Sequence, residues 1–240
     1  MTHAQIQEVR SLEDKRQRDS SGLFIAEGEK LVGELLSSKF TLQALYQTED
    51  VFEQGVLISQ KEMMRISCLK TPTRVLAVAK KPHYKLENVS TTKDLVLALD
   101  GVQNPGNMGT IIRLADWFGI WDIVCSMQCA DVFGPKVVQA SMGAILRVRV
   151  HYTDLKSFIL SSENVPVYGT FLDGENIYSA SLSRNGIIVM GNEGQGISTE
   201  ISSLIGNRLF IPPYPFYAHT SESLNVAVAT SIVCSEFRRR

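Results

Sequence analysis

No stretch of this chain approaches the roughly 20 consecutive apolar residues that a membrane-spanning helix needs. The beginning, polar and charged from Gln5 to Asp19, lacks the apolar run of a secretory leader. The four cysteines (Cys68, Cys125, Cys129 and Cys234) form no C-x-x-C pair, and the four histidines form no H-x-x-x-H or mixed Cys/His grouping. Disulfides, structural zinc and other metal sites are therefore not expected, and a soluble cytoplasmic protein is. Charge of one sign is missing too. The formal net charge is −1 and the pI about 6.4, with near balance in both halves of the chain. A polyanion partner has to be met by local basic clusters rather than by a general field. The candidates are Arg10/Lys15/Arg16/Arg18, then Lys70/Arg74/Lys80/Lys81/Lys85, and the terminal Arg238-Arg239-Arg240.

What is present is a regular alternation of apolar runs and helical periodicity in 240 residues, 44% of them hydrophobic. A charged helix pattern over about 4–18 is followed by "LFIAEG" as a strand and "EKLVGELLSS" as a helix. "TLQALYQT", "GVLIS" and "TRVLAVAK" read as strands, with "QKEMMRIS" as a helix between the last two. The polar, aperiodic stretch from Lys81 to Asp94 reads as a linker. It sets a small α/β domain at 1–85, a connection at 86–94 and a second domain at 95–240. In the second domain several strand-like runs are unbroken rather than alternating. This is the mark of a mostly parallel sheet covered by helices on both faces.

Ligands in open α/β sheets sit beyond the carboxyl ends of strands, and three such ends carry unusual chemistry. The first is "LALDGVQNPGNMGTIIRLADWFG", from Leu97, a strand running through a turn into a helix. The turn lacks both G-x-G-x-x-G and G-x-x-x-x-G-K-[ST], the spacings that cradle phosphates. That absence, with no acidic ribose partner, speaks against a nicotinamide-dependent oxidoreductase. Asn107 reads either as the helix cap or as a substrate contact, and Asn104-Pro105 as the start of the turn. Arg113, placed near a helix N-terminus, would oppose the macrodipole, so it is expected to face an anion or a carboxylate. The second end is "MGNEGQGIS", where Gly191, Gly194 and Gly196 let backbone groups line a pocket around Glu193. The third is "IPPYPFYAHTSESLNVAVA". Ser221 or Ser223 reads as the cap of the last helix or as part of a site. Asn225, a poor helix former one turn further in, has reason to bond a ligand or a neighbouring loop.

Taken together, N-P-G-N-x-G-T-x-x-R, then G-N-E-G-x-G, then I-P followed by S-L-N-V-A-V-A resemble the three motifs of the SpoU/TrmH family, RNA ribose 2′-O-methyltransferases of the SPOUT superfamily. The match spans 95–240 in the correct order. The stretch K-R-Q-R-D-S-S-G-L-F-I-A-E-G-E-K-L-V is similar to the family's N-terminal substrate-binding domain, which has a ribosomal-protein-like fold. The resemblance implies a deep C-terminal trefoil knot, one of the rare exceptions to unknotted chains. It also implies S-adenosylmethionine as cofactor, RNA as partner, with ribosomal RNA ahead of tRNA, and a homodimer formed through the methyltransferase domain. Carried over by position, the cofactor pocket involves Thr170, Phe171, Leu172, Gly191, Gly194, Gly196, Ile211 and Leu224. The catalytic set is Arg113, Asn107, Glu193, Ser223 and Asn225, with Glu193 holding Arg113. Arg10, Lys15, Arg16 and Arg18 are the candidate RNA contacts. The bulky aromatic segment Pro213 to His219 departs from the family pattern, which has I-P-M and a glycine before S-L-N. The alternatives are a tRNA methyltransferase and an inactive RNA-binding or ribosome-assembly protein of the same fold.

Overall fold

Asp14 divides the first charged stretch in two, because its carboxylate caps a new helix by accepting from the N–H groups of Arg16 and Gln17. The single helix expected over 4–18 is thus α1 (His3–Ser11) and α2 (Lys15–Ser21). In the computed structural model, which describes residues 1–215 and 223–239, the chain continues as β1 (Leu23–Glu27), α3 (Glu29–Leu36), β2 (Leu42–Gln47), β3 (Val56–Leu57), α4 (Gln60–Ile66) and β4 (Val75–Lys80). Then come β5 (Leu95–Leu99), α5 (Pro105–Trp117), β6 (Asp122–Cys125), α6 (Pro135–Ser141), β7 (Arg149–Tyr152) and α7 (Leu155–Ser161). The last elements are β8 (Val167–Asn176), β9 (Gly186–Met190), α8 (Thr199–Ser202), β10 (Asn207–Phe210) and α9 (Val226–Arg239). Ser221, His219 and the aromatic residues from Phe216, all singled out above, lie outside the described residues, as does Arg240.

Two units emerge. The first comprises Met1–His83 and Asp131–Leu146. Its sheet runs β1-β4-β2-β3, antiparallel except for the β2–β3 pair. Alternation along β1 and β4 sends Phe24, Ala26, Val75 and Ala77 to one face, under α3 and Val138 of α6. Ile25, Leu76 and Val78 go to the other face, against Ile6, Val9 and Met63. Capping boxes start α1 at Thr2 with Gln5 and α4 at Ser59 with Glu62.

The second unit comprises Tyr84–Ala130 and Arg147–Arg240. Its six strands run β10-β8-β9-β5-β6-β7, and every pairing is parallel. All residues of β5, β6 and β9 are buried, which explains why their sequences do not alternate. Val96, Ala98, Ile187 and Val189 pack under α7 and α8 through Leu155, Phe158, Ile159 and Ile201. Burying each such aliphatic side chain stabilises the fold by about 1.5–3 kcal/mol. Helices α5 and α9 pack on each other. Arg238 closes that pair by donating to the carbonyls of Phe118 and Gly119 at 2.7 and 2.9 Å, where a cation suits the C-terminus of α5. Its place in a basic cluster is therefore structural.

Strands β5, β6 and β7 extend the sheet in one direction, and β9, β8 and β10 extend it in the other. The order reverses beside β5, and the carboxyl ends of β5 and β9 flank that crevice.

Candidate functional site

Asn104, not Asn107, caps α5. Its Oδ1 accepts from the N–H groups of Gly106 and Asn107 at 2.8 and 3.1 Å, with Pro105 in the first turn. This frees the Asn107 side chain, which donates from Nδ2 to Glu193 Oε1 at 3.1 Å and accepts at Oδ1 from Asn225 Nδ2 at 3.0 Å. Asn225 in turn caps α9, its Oδ1 accepting from Ala227 and Val228. The expectation that Ser223 caps the helix and that Asn225 lies inside it is corrected. Asn is favourable at a cap for the same reason that it is unfavourable one turn later.

The three turns are thereby tied in one chain of hydrogen bonds whose direction is determined at both ends. A carboxylate only accepts and helix N–H groups only donate, so each amide has a single orientation that satisfies the row. Glu193 also accepts from the backbone N–H groups of Asn104 at 3.1 Å and Gln103 at 3.4 Å. Desolvation pushes its pKa up, but the hydrogen bonds from Asn107 and the backbone outweigh this and hold the carboxyl below its ordinary value.

Glu193 does not hold Arg113. Arg113 is exposed and has no hydrogen bond or ion pair among the described residues. It lies six residues beyond Asn107, which on a helix with 3.6 residues per turn turns it away from the face that Asn107 shows to Glu193. It is also past the middle of α5, so the macrodipole argument that first drew attention to it does not apply.

The glycine-rich turn is closed by a residue that sequence reasoning passed over. Asn192 exchanges backbone hydrogen bonds with Gly196 at 2.8 and 2.9 Å, and its Oδ1 accepts from Gly194 and Gln195. Its Nδ2 donates to the Gly101 carbonyl at 2.7 Å, linking the turn to the end of β5. Asp100 adds a bond from the Ser198 N–H at 2.8 Å. The signal was available, since Asn is the residue that mimics a backbone turn with its side chain. Gly191 is required by close approach: a Cβ there would stand 2.2 Å from the Gly196 carbonyl carbon. Gly196 is required by its φ of +70°.

Beside this turn lies a cavity of about 440 Å³, within the range of about 300–1,000 Å³ that small-molecule sites occupy. Thr170, Phe171, Leu172, Gly191, Gly194, Gly196, Ile211 and Leu224 all line it, together with Glu193 and Ser223. Met190, Ile197, Phe210, Val226 and Ala229 also contribute and were not anticipated. One wall has unusual backbone. Strand β8 pairs with β9 through Val167–Gly169, and with β10 through Tyr168 and Gly169 and again through Glu175 and Asn176. The jump leaves Thr170–Gly174 without a register partner in either neighbour, a bulge in the wall of the cavity. A lining of apolar side chains, glycine backbone and the polar groups of Thr170, Asn192 and Gln195 suits a nucleoside with polar edges.

A second, open cavity of about 600 Å³ is lined by Gln103, Asn104, Pro105, Asn107 and Asn225. It shares Glu193, Ser223, Leu224 and Val226 with the first.

The first unit corrects the proposed RNA contacts. Arg18 is buried, with 4% of its side chain exposed. It donates from Nε and Nη2 to Asp131 at 3.0 and 2.6 Å, and from Nη1 to the carbonyls of Leu12 and Glu13, both at 2.7 Å. It is a structural pin and is unavailable to RNA. Arg10 bonds the Ser67 carbonyl and pairs with Glu13 at 2.9 Å, while Lys15 pairs with Asp19 at 2.7 Å. Arg16 is exposed and has no ion pair among the described residues. Charge count along the sequence cannot separate these four, because burial of Arg18 depends on a segment more than a hundred residues away. Among the described residues, no helix is long and apolar enough to cross a membrane.

Comparisons with known proteins bear on this geometry. Residues 94–235 match the model of the SpoU rRNA Methylase family, and residues 3–77 match that of the MRM3-like substrate binding domain. The chain is 31% identical to the Bacillus subtilis 23S rRNA (guanosine(2553)-2′-O)-methyltransferase RlmP, over 97% of this chain and 95% of that protein. It is also similar to the solved structure of a putative RNA methyltransferase of the TrmH family from Porphyromonas gingivalis, at 40% identity and a TM-score of 0.88, covering 100% and 99% of the two chains. An AdoMet-bound rRNA methyltransferase from Sinorhizobium meliloti matches at 28% identity and a TM-score of 0.88, covering 100% and 95%.

Proposed function

Because this chain belongs to the SpoU rRNA methylase family, we propose that it transfers a methyl group from S-adenosylmethionine to a ribose 2′-hydroxyl of ribosomal RNA. The observation that carries this reading is the pair of adjoining cavities. One is glycine-walled with both apolar and polar side chains, the other is open and edged with amides, and they share Glu193, Ser223, Leu224 and Val226. Two reactants seated on either side of those shared residues meet there.

S-adenosylmethionine supplies an electrophilic methyl group on a sulfonium. The chain supplies the rest. The cavity residues from Thr170 to Leu172, with Gly191, Gly194, Gly196, Ile211 and Leu224, hold the nucleoside and exclude water. Asn107, Ser223 and Asn225 orient the ribose, so that positioning contributes much of the rate. Glu193 keeps Asn107 in one rotamer and one flip, as an ionised acceptor. Arg113 stays protonated in proteins. Its role is to grip the phosphate beside the target ribose and stabilise the developing alkoxide, as the hydroxyl proton passes to that phosphate or to water and the sulfonium leaves as a thioether. Its outward direction fits a site completed at a subunit boundary. We place that boundary on the paired helices α5 and α9, where Trp117 is 84% exposed and Val228 50%. In this reading the protein is a cytoplasmic homodimer through residues 95–240. The C-terminal chain is drawn through a loop into a trefoil knot that brings the second and third turns together. Residues 1–85 bind the RNA, Arg16 foremost among the first cluster.

The test is transfer of labelled methyl groups to ribosomal RNA and tRNA pools from cells lacking the protein, followed by mapping of the labelled nucleotide. Label on a single ribose of ribosomal RNA, lost with Arg113→Ala, is expected. Label confined to tRNA would move the reading to the tRNA enzymes. No label in either pool, with RNA still bound, would make the protein an inactive binder.

A further inference from the structure

The wall of the small-molecule cavity contains a stretch without a register partner in the sheet. Thr170–Gly174 of β8 are paired with no residue of β9 or β10, although Gly174 lies close against the Arg208–Leu209 backbone. Three of the five, Thr170, Phe171 and Leu172, line the cavity, and Leu172 is 73% exposed. One side chain reaches across this gap. Arg208, the last residue of β10 before the register jumps, sits opposite Gly169. Its guanidinium lies 3.5 Å from the centroid of the Phe171 ring. Nη2 donates to Asp173 Oδ1 at 2.6 Å and Nη1 to Ser202 Oγ at 3.1 Å. The ring is confined from below as well. Gly169 leaves the space in which Phe171, Ile197 and Ile205 converge, and a Cβ there would stand 3.0 Å from Phe171 Cε2.

We propose that Arg208 is a positioning residue for the cofactor, stapling the bulged wall at Phe171 and Asp173 so that the cavity keeps the shape that binds S-adenosylmethionine. The proposal rests on the reading that this cavity takes that molecule. The physical basis is geometric. A planar guanidinium stacks on an aromatic face while its edge nitrogens still bond two partners, which a lysine ammonium cannot do. Without the staple, the five residues sample more conformations, and the ligand has to order them on binding. The effect belongs to binding and not to the chemical step, because Arg208 touches neither reactant.

The experiment is calorimetric titration of the full chain with S-adenosylhomocysteine, for Arg208→Ala and Arg208→Lys, each in the Phe171 and the Phe171→Leu background. Arg208→Ala is expected to weaken binding by about fivefold to thirtyfold, with turnover at saturating S-adenosylmethionine within about twofold of the parent. Arg208→Lys should lie nearer to Ala than to Arg, and it carries the test if the alanine variant does not fold. In the Phe171→Leu background the same change should cost clearly less than in the parent, since only the bonds to Asp173 and Ser202 remain to be lost. Unchanged binding in the Phe171 background, or equal loss in both backgrounds, overturns the proposal while leaving the cavity reading intact. Failure of the parent protein to bind S-adenosylhomocysteine overturns the cavity reading, and this proposal with it.

Discussion

The side-chain amide of Asn107 donates to Oε1 of Glu193 across 3.1 Å, joining two turns that lie 86 residues apart in the chain. Asn107 also accepts from Asn225 at 3.0 Å, so one short side chain connects all three turns. Because Glu193 can only accept, the row has one satisfied arrangement, and the variants that break it are informative.

Glu193→Gln keeps the size and removes the second acceptor oxygen, leaving a backbone N–H of Gln103 or Asn104 facing an amide. A loss of about 1–3 kcal/mol in unfolding free energy is expected, measured by urea denaturation at neutral pH. The same group sets a pH dependence. The folded carboxyl is held below its ordinary 4.5, so its contribution is complete above that value and is lost as the pH falls through the folded one. Stability of Glu193→Gln relative to the parent should therefore recover in acid, below about pH 4.5. A difference that stays constant from pH 7 to pH 3 would refute this.

Three glycines of one turn should behave differently. Gly191→Ala places a Cβ 2.2 Å from backbone and should abolish ligand binding with a large loss of stability. Gly196→Ala has open space but a φ of +70°, so a cost of about 1 kcal/mol is expected. Gly194→Ala meets only Asn192 Oδ1 at 3.7 Å and should be close to neutral. Thermal melts with and without S-adenosylhomocysteine would rank the three.

Arg113→Ala removes an exposed side chain that has no partner among the described residues. Unfolding free energy should change by less than about 0.5 kcal/mol, while kcat/KM for methyl transfer falls at least about 100-fold. Arg113→Lys retaining nearly full turnover would count against a bidentate grip on phosphate. A large stability loss in Arg113→Ala would show that the side chain has a structural partner instead.

Arg16 and Arg18 should separate binding from folding. Arg18→Ala leaves Asp131, whose side chain is 12% exposed, without its cation, and a loss of about 3–5 kcal/mol is expected. Arg16→Ala should leave the melting temperature unchanged and reduce the salt dependence of RNA affinity by about one phosphate contact. Filter binding at several salt concentrations, beside denaturation curves, distinguishes the two.

The identity of most elements was legible in the chain, because unbroken apolar runs and 3.6-residue periodicity are local properties. The motif residues were legible as well, since each turn announces itself through Gly, Asn and Pro. Their assignments were less so. Asn104 and Asn107, like Ser223 and Asn225, are equally good caps by residue type, and only the backbone path decides which of each pair faces the helix. Arg18 and Arg16 are two residues apart in one basic cluster, and the approach of Asp131 buries one of them.

Sequence alone therefore determined the α/β alternation and the three turns, which follow from short-range pattern and residue chemistry. Part of the cavity lining, from Thr170 to Leu172 with Gly191, Gly194, Gly196, Ile211 and Leu224, came from the resemblance of its motifs to the family's. Tertiary structure decided the sheet order, the register jump that frees Thr170–Gly174, the partner of Glu193 and the place of Arg208 over Phe171. Those depend on which segments distant in the chain come to lie side by side, and no local periodicity carries that information.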